Sequence, residues 1–154
     1  MSDDDDLLPI SALQHFAFCP RQCALIHVEG AWAENRFTAE GRILHEKVHE
    51  AGDEARPGVR VARGLPLRCA RLGLTGVADV VEFRPWDGPP PDKDPPPCAA
   101  LPRAPGLWVP YPVEYKRGKP KSGGSDEVQL CGQALCLEEM LRVRIERGAL
   151  FYGR

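Results

Sequence analysis

Eleven of the sixteen prolines in this 154-residue chain fall between Pro85 and Pro112. A pyrrolidine ring fixes φ and removes the amide donor, so the stretch is expected to build neither a helix nor a sheet ladder. It reads as an exposed insertion over residues 85–112 joining two strands, and not as a domain linker. A single domain is therefore expected over residues 1–154, long enough to bury a core.

The flanking strands carry polar residues where apolar pattern dominates. Leu74–Phe83 is strand-like and holds Asp79 inside the apolar run Gly76-Val77-Ala78-Asp79-Val80-Val81. After the insertion, Pro112–Lys116 holds Glu114 and Lys116 two residues apart. Strand side chains alternate faces, so this spacing sets carboxylate and ammonium side by side. The strand of Glu114 is expected to pair with that of Asp79 despite the insertion.

The other elements follow from caps and breakers. Ser11 can cap a short helix through Phe18, and Pro20 can open another running to about Val28. Residues 33–50 read as a longer helix carrying His45, followed by a turn from Gly52 to Gly58. Val59–Ala62 and Leu65–Ala70 read as two short strands, with a turn at Arg71–Gly73. Ser125 is placed to cap a helix from Asp126 to Arg147, with Leu130, Ala134, Leu137, Leu141 and Ile145 as its apolar stripe and Gln129 and Gln133 on an adjacent face. Ala149–Tyr152 is strand-like and the chain stops just beyond it, which reads as a C-terminally truncated domain.

The net charge of −2 gives no bulk electrostatic argument for nucleic acid. Lys116, Arg117, Lys119 and Lys121 nevertheless cluster beside the paired carboxylates, a local patch suited to an anionic substrate. No run approaches the roughly 18 apolar residues of a membrane span. The acidic start Met1-Ser2-Asp3-Asp4-Asp5-Asp6 is unlike a signal peptide, so a cytoplasmic protein without membrane contact is expected. Six cysteines in such a chain argue for metal ligation or apolar packing and not for disulfides; Cys131 and Cys136 read as core.

Phosphodiester hydrolysis needs an activated water, neutralisation of phosphate charge and help for the leaving oxygen. Asp79 and Glu114 are hard oxygen ligands suited to Mg²⁺ or Mn²⁺, and an imidazole from His45 would shift preference toward Mn²⁺. Lys116 can orient the water or stabilise the transition state. Two alternatives stand beside this. His45-Glu46-Lys47-Val48-His49 matches the His-Glu-x-x-His pattern of zinc hydrolases, but leaves Asp79 and Lys116 without a part. The same fold could also serve as a non-hydrolytic module that binds DNA ends.

Five motifs stand in order along the chain: Phe18-Cys19-Pro20-Arg21, Gly41-Arg42-Ile43-Leu44-His45, Gly76-Val77-Ala78-Asp79, Val113-Glu114-Tyr115-Lys116 and Val128-Gln129-Leu130-Cys131. Each alone is weak; together they resemble the CRISPR-associated RecB-like exonucleases. The resemblance implies an α/β fold, with a restriction-endonuclease-like core, a mixed central sheet flanked by helices and an N-terminal helical segment. It implies a DNA exonuclease dependent on Mn²⁺ or Mg²⁺, with His45, Asp79 and Glu114 as metal ligands, the Tyr115 carbonyl contributing and Lys116 catalytic.

It further implies that Gln129, with Arg117, Lys119 and Lys121, meets DNA, either single-stranded or with a 3′ overhang. Where the family has a tyrosine four residues beyond that glutamine, this chain has Gln133. A [4Fe–4S] cluster is implied for the intact protein, with Cys19 its one assignable ligand here and three further cysteines expected beyond the nuclease helix. The resemblance also implies work alongside the CRISPR integrase in trimming prospective spacers.

Overall fold

The computed structural model describes residues 6–27, 58–120 and 123–153. Strand β1 (Leu8–Pro9) leads into helices α1 (Ile10–Phe18) and α2 (Pro20–His27). Strands β2 (Arg60–Cys69), β3 (Leu74–Pro85), β4 (Ala99–Leu101) and β5 (Ala104–Arg117) follow, then helix α3 (Ser125–Leu141) and strand β6 (Ala149–Gly153). Over the described residues the fold is α/β, a six-stranded mixed sheet flanked by helices, consistent with a restriction-endonuclease-like core.

β3 is the centre of the sheet. β2 runs antiparallel along one edge from Arg60↔Phe83 to Cys69↔Leu74. The opposite edge is shared: β1 pairs in parallel at Leu8↔Leu74 and Pro9↔Thr75, and β5 pairs antiparallel from Val80↔Val113 to Pro85↔Trp108. Between them β3 is forked, and Asp79 sits at the fork. β6 lies parallel to β5 from Val113↔Ala149 to Arg117↔Gly153, so α3 is the crossover of a β–α–β unit.

The expected pairing of the Glu114 strand with the Asp79 strand is therefore present. The expectation that residues 85–112 form no ladder is corrected. β4 and most of β5 lie inside that stretch, with Ala99↔Trp108 and Leu101↔Ala104 paired. The hydrogen-bond phase explains why prolines are tolerated. The Trp86 amide donates to the Leu107 carbonyl at 2.8 Å, so the amides of 109, 111 and 113 face β3 and those of 110 and 112 face away. On that other edge the β4 pairing stops at Trp108 and the β6 pairing begins at Val113, so Pro110 and Pro112 lack donors where no described strand would receive them.

The core lies between the sheet and α3. Leu67, Ala78, Val81, Phe83, Cys136 and Leu137 are all buried there, and removing a leucine like Leu137 from water contributes on the order of 2 kcal/mol. α1 packs on α3 at Gly132, where a Cβ would come within 3.1 Å of Ile10 Cγ2 and 3.3 Å of Leu13 Cδ1.

Other boundaries shift. The two short strands expected around residue 64 are one strand, β2, in which Gly64 takes φ +61 across from Asp79. α1 begins at Ile10 with no side-chain cap, and Ser125 is the first residue of α3 and not its cap. α3 stops at Leu141, six residues short of expectation. Arg142 turns left-handed, the Arg144 amide donates to the Pro96 carbonyl at 2.9 Å, and the Ile145 amide donates to Glu138 Oε2 at 2.8 Å. Tertiary partners for these amides outweigh helix propensity. Cys136 is buried as expected, but Cys131 is exposed. The helix expected over 33–50, with His45 and His49, lies outside the described residues, as does Lys121.

Candidate active site

The fork in the sheet places three expected residues together. Past Val80↔Val113 the β3–β5 ladder ends, and the Tyr115 amide donates instead to Asp79 Oδ2 at 3.0 Å. The carboxylate thus takes the place of a backbone acceptor, fixing Asp79 against β5. Glu114 points to the same space, and alternation carries Lys116 alongside, with Nζ 3.6 Å from Glu114 Oε1. Asp79 and Glu114 are each 1% exposed.

Helix α3 supplies the rest of the wall. Gln133 Nε2 donates to Glu114 Oε2 at 2.6 Å and Gln129 Nε2 to Glu114 Oε1 at 3.3 Å. Lys116 Nζ donates to Gln129 Oε1. Lys116 Nζ also lies 4.0 Å from Asp126 Oδ1. Asp126 is itself buried and accepts from Tyr152 Oη at 3.0 Å and Gln14 Nε2 at 3.4 Å. Four elements, α1, β5, α3 and β6, therefore meet around one lysine and its acidic neighbours.

The charge pattern follows from burial. Glu114 is pushed up to about 7, first by desolvation and then by the negative charge of Asp79, with which it shares a hydrogen bond; Lys116 and the Gln133 amide pull the other way. Tyr152 is pushed up to about 12 by burial and by Asp126. Gln133 Oε1 is buried without a hydrogen-bond partner among the described residues.

Asp126, Gln133, Tyr152 and Gln14 were not marked as site residues by sequence reasoning. A signal existed in α3, since Asp126, Gln129 and Gln133 recur at intervals of three and four and so share a face. Asp126 also falls in the first turn of α3, where an acidic side chain suits the helix dipole without any part in a site. Nothing local marked Tyr152 or Gln14. Of the expected basic patch, Arg117 donates Nη1 to the Gly153 carbonyl at 2.9 Å, tying β5 to β6, and Lys119 is exposed.

No family model matches the chain. A CRISPR-associated exonuclease Cas4/endonuclease Cas1 fusion from Geobacter sulfurreducens is 34% identical to it over 143 residues. The chain belongs with the CRISPR-associated RecB-like nucleases. The match takes in 86% of this chain and 22% of the relative's length.

For a RecB-like nuclease the first question is whether the residues present fit a divalent cation. They do: two buried carboxylates lie together, and Glu114 is raised first by desolvation and then by the charge of Asp79, a cost that a hard cation would relieve. Among the described residues no group of three His, Cys, Asp or Glu side chains gathers to hold a metal, and His45 lies outside them. The cysteines fit a cluster less well. Cys69, Cys98 and Cys136 are buried, with burial pushing the Cys136 thiol up to about 12, Cys23 Sγ donates to the Ala12 carbonyl at 3.5 Å, and Cys131 is exposed. No four-thiolate set accompanies Cys19 among them.

Proposed function

We propose that the chain is a metal-dependent DNA nuclease that trims the ends of prospective spacer DNA during CRISPR adaptation, alongside the CRISPR integrase. The observation that carries this reading is the convergence of Asp79, Glu114 and Lys116 at the β3–β5 fork. The relative's name supports the biological setting, since it joins an exonuclease to an endonuclease in one chain.

Asp79 and Glu114, with the Tyr115 carbonyl and His45, would hold Mn²⁺ or Mg²⁺. A bound cation there supplies neutralisation of phosphate charge and a more acidic water. The chain's own residues do the rest. The Tyr115 amide and the two glutamines fix the carboxylates so that little reorganisation is needed on binding. Lys116, held by Gln129 and faced by Asp126, keeps its ammonium directed at the space beside Glu114, where charge develops on the attacked phosphate. Arg117, Lys119 and Lys121 would flank the DNA backbone.

The test is cleavage of end-labelled single-stranded DNA with Mn²⁺, comparing the chain with Lys116→Ala. Loss of cleavage in a folded variant supports the nuclease. Equal cleavage by both rejects Lys116, and DNA binding without any cleavage favours an end-binding module.

A further inference from the structure

A second polar cluster lies away from the carboxylates. A cavity of about 200 Å³ opens between the end of β3, the middle of β5 and the segment after α3, walled by Arg84, Trp86, Tyr111, Arg144, Glu146 and Arg147. A second cavity of similar size adjoins it, sharing Trp86 and Pro97 and otherwise lined by Pro89 to Lys93 of the insertion. Together they form one groove with an arginine end and a proline end.

Its chemistry is mixed in a particular way. Glu82 neutralises Arg84 at 3.0 Å, and the lining of the first cavity holds two further arginines, Arg144 and Arg147, to one acidic residue, Glu146, a positive surplus on a chain whose net charge is −2. The Arg84 guanidinium lies 4.0 Å over the Tyr111 ring. Trp86 is held in place: its amide donates to the Leu107 carbonyl, its indole nitrogen donates to the Pro89 carbonyl at 3.0 Å, and its ring packs on Gly88, where a Cβ would lie 2.8 Å away. A fixed aromatic wall loses little entropy on binding.

We propose that this groove is a second grip on single-stranded DNA. Arg144 and Arg147 take a backbone phosphate, and bases stack on Trp86 and on the Arg84–Tyr111 pair. A free anion would use the arginines but not the aromatic wall, and an apolar peptide would do the reverse. Strand alternation puts Arg84 and Tyr111 on the sheet face opposite Asp79 and Glu114, so the grip is separate from the carboxylates. A strand reaches both by rounding the β5 edge between β4 and β6, where the segment carrying Arg144 and Arg147 crosses. The proposal rests on the nuclease reading and names where its substrate is held.

The experiment measures anisotropy of a short fluorescein-labelled oligothymidylate with the full chain, without divalent metal, over a range of salt. The comparison is with Arg144→Gln/Arg147→Gln, both exposed positions, and with Trp86→Ala and Trp86→Phe; Mn²⁺-dependent cleavage is scored in parallel. Affinity is expected to fall about tenfold in the arginine variant, with a salt slope smaller by about 0.7 because one phosphate fewer is neutralised. Trp86→Ala is expected to weaken binding at least fivefold, and Trp86→Phe to restore most of it. If the unaltered chain binds and cleaves while the variants bind as tightly, the groove is not the grip and the nuclease reading stands. Cleavage without measurable binding also overturns the groove. If the unaltered chain neither binds nor cleaves, both readings fall together.

Discussion

The amide of Tyr115 donates to the carboxylate of Asp79 across the first position at which β3 and β5 no longer pair. One side chain therefore both closes the sheet and faces Glu114. Its two duties can be separated by substitution. Asp79→Asn keeps an acceptor for the amide and is expected to fold normally while losing Mn²⁺-dependent cleavage by at least a hundredfold. Asp79→Ala is expected to lose cleavage and about 1–3 kcal/mol of stability, because the part-buried Tyr115 amide loses its carboxylate acceptor. Urea midpoints beside cleavage rates would show the split; normal stability of the alanine variant would contradict it.

Glu114 makes stability depend on pH. Its carboxyl is raised from the ordinary 4.5 to about 7, so between those values the folded chain holds a proton that the unfolded chain has released. Stability of the metal-free protein is expected to fall as pH rises across that window and to level off above it. Glu114→Gln should flatten the dependence. Thermal melts in a chelating buffer from pH 5 to pH 8 check the sign, and added Mn²⁺ should stabilise more at pH 8 than at pH 5, because cation and proton compete for the same oxygens.

Tyr152→Phe removes the hydroxyl donor to buried Asp126 and nothing else. The expected cost is about 1–2 kcal/mol in denaturant, with cleavage falling through the looser hold on Lys116. An unchanged denaturation midpoint would show that Asp126 is satisfied without its phenol.

Arg142 ends α3 with φ 55, a conformation that glycine adopts without steric cost. Arg142→Gly is expected to stabilise the fold by up to about 1 kcal/mol, read as a higher melting temperature. A lower one would mean that the arginine side chain contributes more than its backbone loses.

Much of the site was legible because it obeys short-range rules. Glu114 and Lys116 sit together through strand alternation, and Asp79 drew notice as a carboxylate in an apolar run. What was not legible depends on contacts between distant segments. The end of α3 is set by Pro96 and Glu138 capturing amides that helix propensity would have kept, and Tyr152 and Gln14 reach Asp126 only once the sheet and α1 are in place. The prolines misled for a related reason. Their frequency says nothing of hydrogen-bond phase, and in β5 the phase turns their missing donors to an edge that needs none.

That phase has a further consequence. An open strand edge is a template on which another chain can add itself, and each incoming strand needs donors as well as acceptors. Between β4 and β6 the edge of β5 has carbonyls at 110 and 112 but no amide hydrogens, and the segment after α3 lies over it: Pro110 and Pro112 are buried, and a Cβ on Gly148 would come within 2.9 Å of the Pro112 carbonyl oxygen. Missing donors and a covering segment together close this gap to sheet growth, in the strand whose neighbouring residues hold the chemistry.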